Sequence, residues 1–250
     1  MKGIVFLGER RTELREFPDP QPGPRDVILE IKASGMCGTD LKPYRETFVP
    51  GAVRGGIKRS MEPVIAGHEP CGVVVELGSA VSEREARIGQ RVMDHHYQGC
   101  GVCRHCMGGW RQMCVDGAVV FGSVAHGAHA PYMRVPVDTL VTLPDELSFE
   151  TGAAIACGTG TAFGALNRLS LHGDETIAIF GQGPVGLSAT QLAHAMGARV
   201  IALDISSERR GLAAEMGADI TLDPMVGDPV EMILEHTQGE GAHKTMDASS

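Results

Sequence analysis

The seven cysteines of this 250-residue chain fall into patterns that can bind metal. Cys100, Cys103, Cys106 and Cys114 are spaced C-x2-C-x2-C-x7-C. Four thiolates this close, in a reducing compartment, fit a tetrahedral structural zinc site. An iron–sulfur cluster also takes four cysteines, but this run lacks the usual spacings and the trailing proline. Unliganded or disulfide-paired cysteines are the remaining alternative. With all four positions filled by protein, such a site leaves no vacancy for chemistry. It would tie down a loop-like lobe, since metal binding of this kind contributes about 10–16 kcal/mol of apparent free energy to folding.

A second constellation is dispersed. Cys37 lies in GMCGTDL, His68 and Glu69 in AGHEPCG, and Cys157 in ACGTGTAFGAL. Cys, His and Cys make a three-ligand set with an open fourth position, as a catalytic zinc requires. Taken singly, each has a plainer reading, because a lone cysteine is commonly a core residue and a lone histidine beside a strand is commonly structural. They gain weight from one another. Asp40 can accept the second N–H of His68 and fix its tautomer, or it is an ordinary turn residue. Thr39 can relay a proton. Cys71, which opens CGVVVELG, reads as core.

A third pattern is the strand TIAIF running into Gly181-Gln182-Gly183-Pro184-Val185-Gly186. The order strand, G-x-G-x-x-G, helix, second strand is that of a dinucleotide-binding unit. Gly181 permits the tight turn, Gly183 lets the backbone approach a pyrophosphate, and Gly186 allows close helix–strand packing. Pro184 suits a first-turn position, where its missing N–H costs least. Asp204 ends the next strand. An acid there binds ribose hydroxyls and disfavours a 2′-phosphate, which places NAD ahead of NADP. Arg209 and Arg210 follow and can stack on or pair with the adenosine end. A Rossmann-like fold without a cofactor is the competing reading.

The elements that must position these residues change in kind along the chain. Up to about residue 150, short apolar runs at 4–7, 27–33, 64–66, 71–77, 91–93, 118–121, 131–137 and 140–143 are bounded mostly by Gly, Pro or Asp. They predict a β-barrel or rolled sheet. Residues 42–63, with Arg45, Arg54, Lys58 and Arg59, read as a long basic loop. A helix begins near Leu147 with Ser148 as N-cap. From residue 176 strands alternate with helices at 184–196, 206–216 and 228–237, which means βαβ units on a parallel sheet. The domains are therefore read as 1–150 and 151–250, the second incomplete, with four strands.

Composition agrees with a globular chain, 43% apolar and 21% charged. A net charge of −9 argues against a nucleic-acid surface, which needs clustered Lys and Arg. There is no run of 18 apolar residues and no cleavable leader pattern, so the expectation is a cytoplasmic protein without a membrane partner.

Together, GMCGTDL, AGHEPCG, the four-cysteine lobe, ACGTGTAFGAL and GQGPVG, in that order, resemble the zinc-dependent medium-chain alcohol dehydrogenase family over the whole chain. The resemblance implies a GroES-like β-barrel catalytic domain plus a Rossmann domain, with the active site between them. It implies two zinc ions per chain. Cys37, His68 and Cys157 match the catalytic ligands, and Cys100, Cys103, Cys106 and Cys114 match the structural lobe. Glu69 matches an acid that in some members approaches the metal. Thr39 matches the hydroxyl that takes the substrate proton, and Asp40 the acid behind His68. The implied reaction is NAD(P)-dependent oxidation of a secondary alcohol, with CGTDL and HHYQGCGVCRHC most similar to the threonine- and polyol-dehydrogenase branch. His96 stands where related enzymes face substrate. Lys42 departs from the family, where many members end the proton relay in histidine. Family members continue through two more strands after the position of MDASS, at least roughly 60 residues at about 30 per βα unit. The resemblance thus implies a truncated chain with little or no activity alone, and a homodimer or homotetramer for the full-length protein. The competing function is a non-catalytic, zinc-stabilised nucleotide-binding module.

Overall fold

The computed structural model describes residues 1–54 and 57–249. The chain forms two compact units, Met1–Cys157 and Gly158–Ser250.

The first unit runs β1 (Lys2–Gly8), β2 (Arg11–Glu16), β3 (Asp26–Gly35), α1 (Gly38–Arg45), β4 (Val53–Arg54), β5 (Ile57–Lys58), β6 (Glu69–Leu77), β7 (Arg91–Asp94), β8 (Tyr97–Gln98), α2 (Arg104–Met107), β9 (Val119–Val120), β10 (Tyr132–Pro136), β11 (Leu140–Thr142) and α3 (Phe149–Ala154). Its main sheet is antiparallel, in the order β10-β3-β6-β7-β11. Alternation sends neighbouring residues to opposite faces. Val92 and Val74 join Val27, Leu29, Met133 and Val135 on one side. Met93 and Cys71 join Leu143 and Ala153 of α3 on the other. Cys71 is fully buried, and burial pushes its thiol up to about 11. It is a core residue, as its sequence setting suggested.

Two expectations need correction here. Residues 42–45 continue α1 rather than opening a loop, and β4 and β5 pair as a short hairpin within 42–63. Gly55, Gly56 and the Arg54 side chain of that stretch lie outside the described residues. The strand β2 was not foreseen at all. Its sequence, RTELRE, has one apolar residue, and its turn carries no glycine at Glu9 and Arg10, although both take positive φ (53° and 61°). Backbone bonds from Glu9 N–H to Glu46 and Arg10 N–H to Tyr44 hold that turn from α1's end.

The second unit follows from a π-helical turn, Ile155–Thr159, that straddles its boundary. It contains α4 (Gly160–Leu169), β12 (Thr176–Phe180), α5 (Pro184–Ala195), β13 (Arg199–Leu203), α6 (Ser207–Glu215), β14 (Ile220–Leu222), α7 (Pro229–His236) and β15 (Lys244–Asp247). The strands are all parallel, ordered β14-β13-β12-β15. A parallel sheet is stable only with both faces covered. Ala162, Leu166, Ala189 and Ala193 of α4 and α5 cover Ile177, Ile179 and Val200. Ile233 of α7 packs with Ala178, Ile201, Leu203 and Leu222 on the other face. Among the described residues no helix is long and apolar enough to cross a membrane.

Asp94, at the end of β7, is fully buried, and neither carboxylate oxygen has a hydrogen-bond partner among the described residues. Burial pushes its pKa well above the carboxylate range, only partly opposed by nearby Thr139 and Arg111. The folded chain therefore keeps a proton that the unfolded chain, with a pKa of about 3.9, releases. The sign follows: stability falls as pH rises from about 4 toward the raised pKa, by up to about 1.4 kcal/mol per pH unit. An Asp94→Asn chain cannot ionise there. Its urea midpoint should gain on wild type as pH is raised from about 5 to about 8; a constant offset would contradict a neutral Asp94.

Candidate metal centres and dinucleotide loop

In the first unit, β3 ends at Gly35 and α1 starts at Gly38, so Cys37 is the helix N-cap. Its Sγ accepts the Thr39 N–H at 3.2 Å. Asp40 closes a capping box: its Oδ2 accepts the Cys37 N–H at 2.9 Å. The other oxygen, Oδ1, lies 2.9 Å from His68 Nδ1. One carboxylate, 4% exposed, thus fixes both the backbone of Cys37 and the ring of His68. His68 Nε2 is left facing Cys37 Sγ at 3.1 Å. Cys157 arrives from the π-helical turn, a local irregularity frequent at functional sites. One donor atom from each of Cys37, His68, Glu69 and Cys157 lies within 4.8 Å of the others.

The electrostatics of this group are those of a shared proton set. Cys37 is driven far below the ordinary thiol range, chiefly by the hydrogen bond from Cys157 and then, against burial, by His68. Cys157 is driven up by the same bond and by burial. Burial pushes His68 down, but its bonds to Asp40 and Cys37 reverse that and hold it at about 10. Glu69, 6% exposed, is raised to about 7 by burial and then by the Cys37 charge. His96 stacks edge-on against His68 with ring centroids 5.0 Å apart, and burial holds it neutral, at about 3. Thr39 and Lys42 are exposed on the first turns of α1.

Sequence reasoning missed Gly35. The Glu69 carboxylate lies where a Cβ of Gly35 would stand, so any side chain there displaces it. The signal was a glycine two residues before a candidate ligand, beside a strand end.

Cys100, Cys103, Cys106 and Cys114 also converge, with their sulfurs all within 4.8 Å of one another. Cys103 caps α2, Cys106 lies on it, and a 3-10 turn at Arg111–Met113 delivers Cys114. The lobe is anchored by Arg111, which pairs with Asp138 at 2.7 Å. Backbone N–H groups already point at the sulfurs, from Cys100 to Cys114 Sγ and from Cys103 to Cys100 Sγ.

In the second unit, Gly181 follows β12 with φ 84° and donates its N–H to Leu203 at 2.7 Å. Gly183 caps α5, Pro184 is its first residue, and Val185 and Gly186 complete the first turn. Gln182 is fully buried, with its Nε2 donating to the Ile179 carbonyl and its Oε1 accepting from Thr190. This locks the loop from below. Asp204 is brought to the same turn, but not with free oxygens. Its Oδ2 accepts the Gln182 N–H at 2.6 Å and its Oδ1 the Ser206 N–H at 2.8 Å. Those bonds outweigh burial and hold its pKa below the usual range. Arg209 lies 3.7 Å from the Asp204 carboxylate, whereas Arg210 donates to the Asp204 backbone carbonyl at 2.8 Å and pairs with Asp223 at 3.0 Å.

Comparison with known proteins finds relatives of this chain. The family model described as "Alcohol dehydrogenase GroES-like domain" matches residues 23–145, and that described as "Zinc-binding dehydrogenase" matches residues 184–250. The uncharacterized zinc-type alcohol dehydrogenase-like protein YphC of Escherichia coli K12 is 36% identical over 254 aligned residues, covering 100% of this chain and 70% of its own length. An alcohol dehydrogenase of Geobacillus stearothermophilus is 34% identical, over 94% of this chain and 67% of its own. Among solved structures, the alcohol dehydrogenase TADH from Thermus sp. ATN1 superposes with a TM-score of 0.87 at 29% identity, covering 100% of this chain and 71% of that one.

Proposed function

This chain belongs to the zinc-binding alcohol dehydrogenase family, and on that premise we propose that it serves oxidation of a secondary alcohol, of polyol or threonine-like type, to a ketone. Cys37, His68 and Cys157 hold a catalytic zinc, and Cys100, Cys103, Cys106 and Cys114 a structural one. A nicotinamide dinucleotide, NAD ahead of NADP, binds at Gly181–Gly186. The observation that carries the reading is the convergence of Cys37, His68, Glu69 and Cys157 donor atoms within 4.8 Å, with Asp40 on the far nitrogen of His68.

The donor set fits the metal. Two sulfurs and one imidazole nitrogen are borderline-soft ligands suited to zinc, and three protein ligands leave one coordination position. Asp40 is the carboxylate that orients a metal-ligating histidine and raises its basicity. When bound, zinc supplies a Lewis acid and the dinucleotide accepts the hydride. The chain's own residues do the rest. Asp40 keeps His68 Nε2 presented to the site. Thr39, exposed on the first turn of α1, takes the substrate's hydroxyl proton and passes it to solvent. Glu69, near neutrality in pKa, is a fourth donor within reach. His96, neutral and edge-on to His68, shapes the substrate side.

The dinucleotide reading is supported by the second unit alone. A Cβ on Gly183 would meet nothing within 4 Å among the described residues, so packing does not demand glycine there and the bare Cα leaves the loop open to a ligand's approach. The α5 N-terminus would hold the pyrophosphate, because the N–H groups of a helix's first turn and the helix dipole attract anions. The negative charge of Asp204 would disfavour a 2′-phosphate, and Arg209, 3.7 Å from it, would flank the adenosine end. The cysteine thiols of both metal groups require a reducing compartment, which fits the cytoplasm.

Metal analysis of the purified chain tests the proposal. Two zinc ions per chain are expected, together with NADH binding tighter than NADPH. One zinc, retained by the four-cysteine lobe, would support a non-catalytic nucleotide-binding module instead. A panel of polyols, threonine and simple alcohols then ranks the substrates.

A further inference from the structure

His129 has no part in the reading above, yet it touches both segments that deliver the first two ligands. Its ring lies against Gly67, the residue before His68: a Cβ on Gly67 would stand 2.5 Å from its Nδ1. Gly67 also has φ 92°, so glycine there serves both backbone and ring. The same Nδ1 lies 2.8 Å from Ser34 Oγ. Ser34 is in β3, opposite Pro70 of β6 and three residues before Cys37. The backbone joins in: His129 N–H donates to Ala66 at 2.8 Å and Ala128 N–H to Gly67 at 2.9 Å. One imidazole therefore spans the strand end that leads to Cys37 and the turn that leads to His68.

Stability alone does not account for an imidazole at this point. Its Nε2 is buried with no hydrogen-bond partner among the described residues, an unfavourable state that a phenyl ring would avoid while filling the same space. The ring already packs edge-on against Phe6, at 6.1 Å between centroids. What only the imidazole offers is the Nδ1 bond to Ser34. Burial keeps the ring neutral, so that bond does not depend on a charge.

We propose that His129 is a positioning residue for the Cys37–His68–Cys157 metal site, holding the two ligand-bearing segments at a fixed separation through Ser34 and Gly67. The proposal rests on those three residues binding metal. Outer residues that orient ligands carry about 10–100-fold in metal affinity.

The test uses the intact chain with the four-cysteine lobe filled with Zn2+. Co2+ is then titrated into the second site and followed by its visible thiolate and d–d absorption. His129→Phe and Ser34→Ala should each weaken Co2+ binding by about tenfold. The double variant should be no weaker than either single one, because both remove the same bond. The melting midpoint of His129→Phe should equal or exceed that of wild type, and this separates positioning from mere packing. Unchanged Co2+ affinity and spectrum in both variants would overturn the proposal, as would a loss that follows a fall in melting midpoint. A wild-type chain that takes up no second metal overturns the metal-site reading itself and this inference with it.

Discussion

A Cys157→Ser chain should carry one zinc per chain where wild type should carry two. The sulfur supplied by the π-helical turn is one of only three non-carboxylate donors in that group. A serine hydroxyl is a hard, neutral donor at ordinary pH and does not replace a thiolate on zinc. Loss of an orienting residue already costs about 10–100-fold in metal affinity, so loss of a direct ligand should exceed that range. The fold should tolerate the change. Serine is smaller by little, and in the metal-free chain its O–H can still donate to the Cys37 thiolate as the Cys157 thiol does. The four-cysteine lobe uses other residues entirely and should retain its ion. Atomic emission on the desalted protein reads the result directly, and two metals surviving in Cys157→Ser would end the assignment of a catalytic zinc to this group.

The second large effect is a pair of substitutions in the dinucleotide loop that should behave oppositely. A Cβ at Gly186 would fall inside contact distance of the Gly181 carbonyl oxygen. Both groups are backbone, so no rotamer relieves the clash and α5 must back away from the turn after β12. Overpacking of this kind costs about 1–3 kcal/mol, occasionally more, and Gly186→Ala should lose both stability and NADH affinity. Gly183 differs. Its φ is an ordinary −76° and its Cβ would meet nothing within 4 Å. Gly183→Ala should therefore unfold at the wild-type urea midpoint yet bind NADH far more weakly, because the methyl occupies the pyrophosphate's approach. Fluorescence titration with NADH alongside urea unfolding separates the two. Gly183→Ala binding NADH as tightly as wild type would show that no ligand comes close at that point.

Much of the site was legible in the sequence because its signals are local. The four lobe cysteines fall within fifteen residues, and a close spacing of soft ligands constrains the chain to bring them together. Ser148 accepts the Thr151 N–H as the N-cap of α3, as read from the pattern before it. The strand–loop–helix at Gly181–Gly186 declares itself because its signal is local: Gly181 takes a positive φ at the turn and Gly186 lies against the Gly181 carbonyl five residues back. The bond from Asp40 to His68 was also foreseen, from the chemistry of a ligating histidine. Other features left no local trace. The π-helical turn at Cys157 is invisible in a run that reads as continuous helix. The strand β2 is charged and has no glycine at the two central positions of its turn, and the end of α1 holds that turn by backbone bonds.

The sequence by itself therefore determined which residues carry donor atoms, which loop presents free N–H groups, and that an antiparallel and a parallel unit would carry them. These depend on residue type and short-range periodicity. Only the tertiary structure decided who meets whom. It put the Glu69 carboxylate over the bare Cα of Gly35 and gave both oxygens of Asp204 to backbone N–H groups. It also left the Asp94 carboxyl without a hydrogen-bond partner among the described residues and laid His129 between the paths to Cys37 and His68. Gly35 with Glu69, Gln182 with Asp204 and Ser34 with His129 join residues distant in sequence, and the cost of the Asp94 carboxyl is set by its burial; no local pattern encodes either.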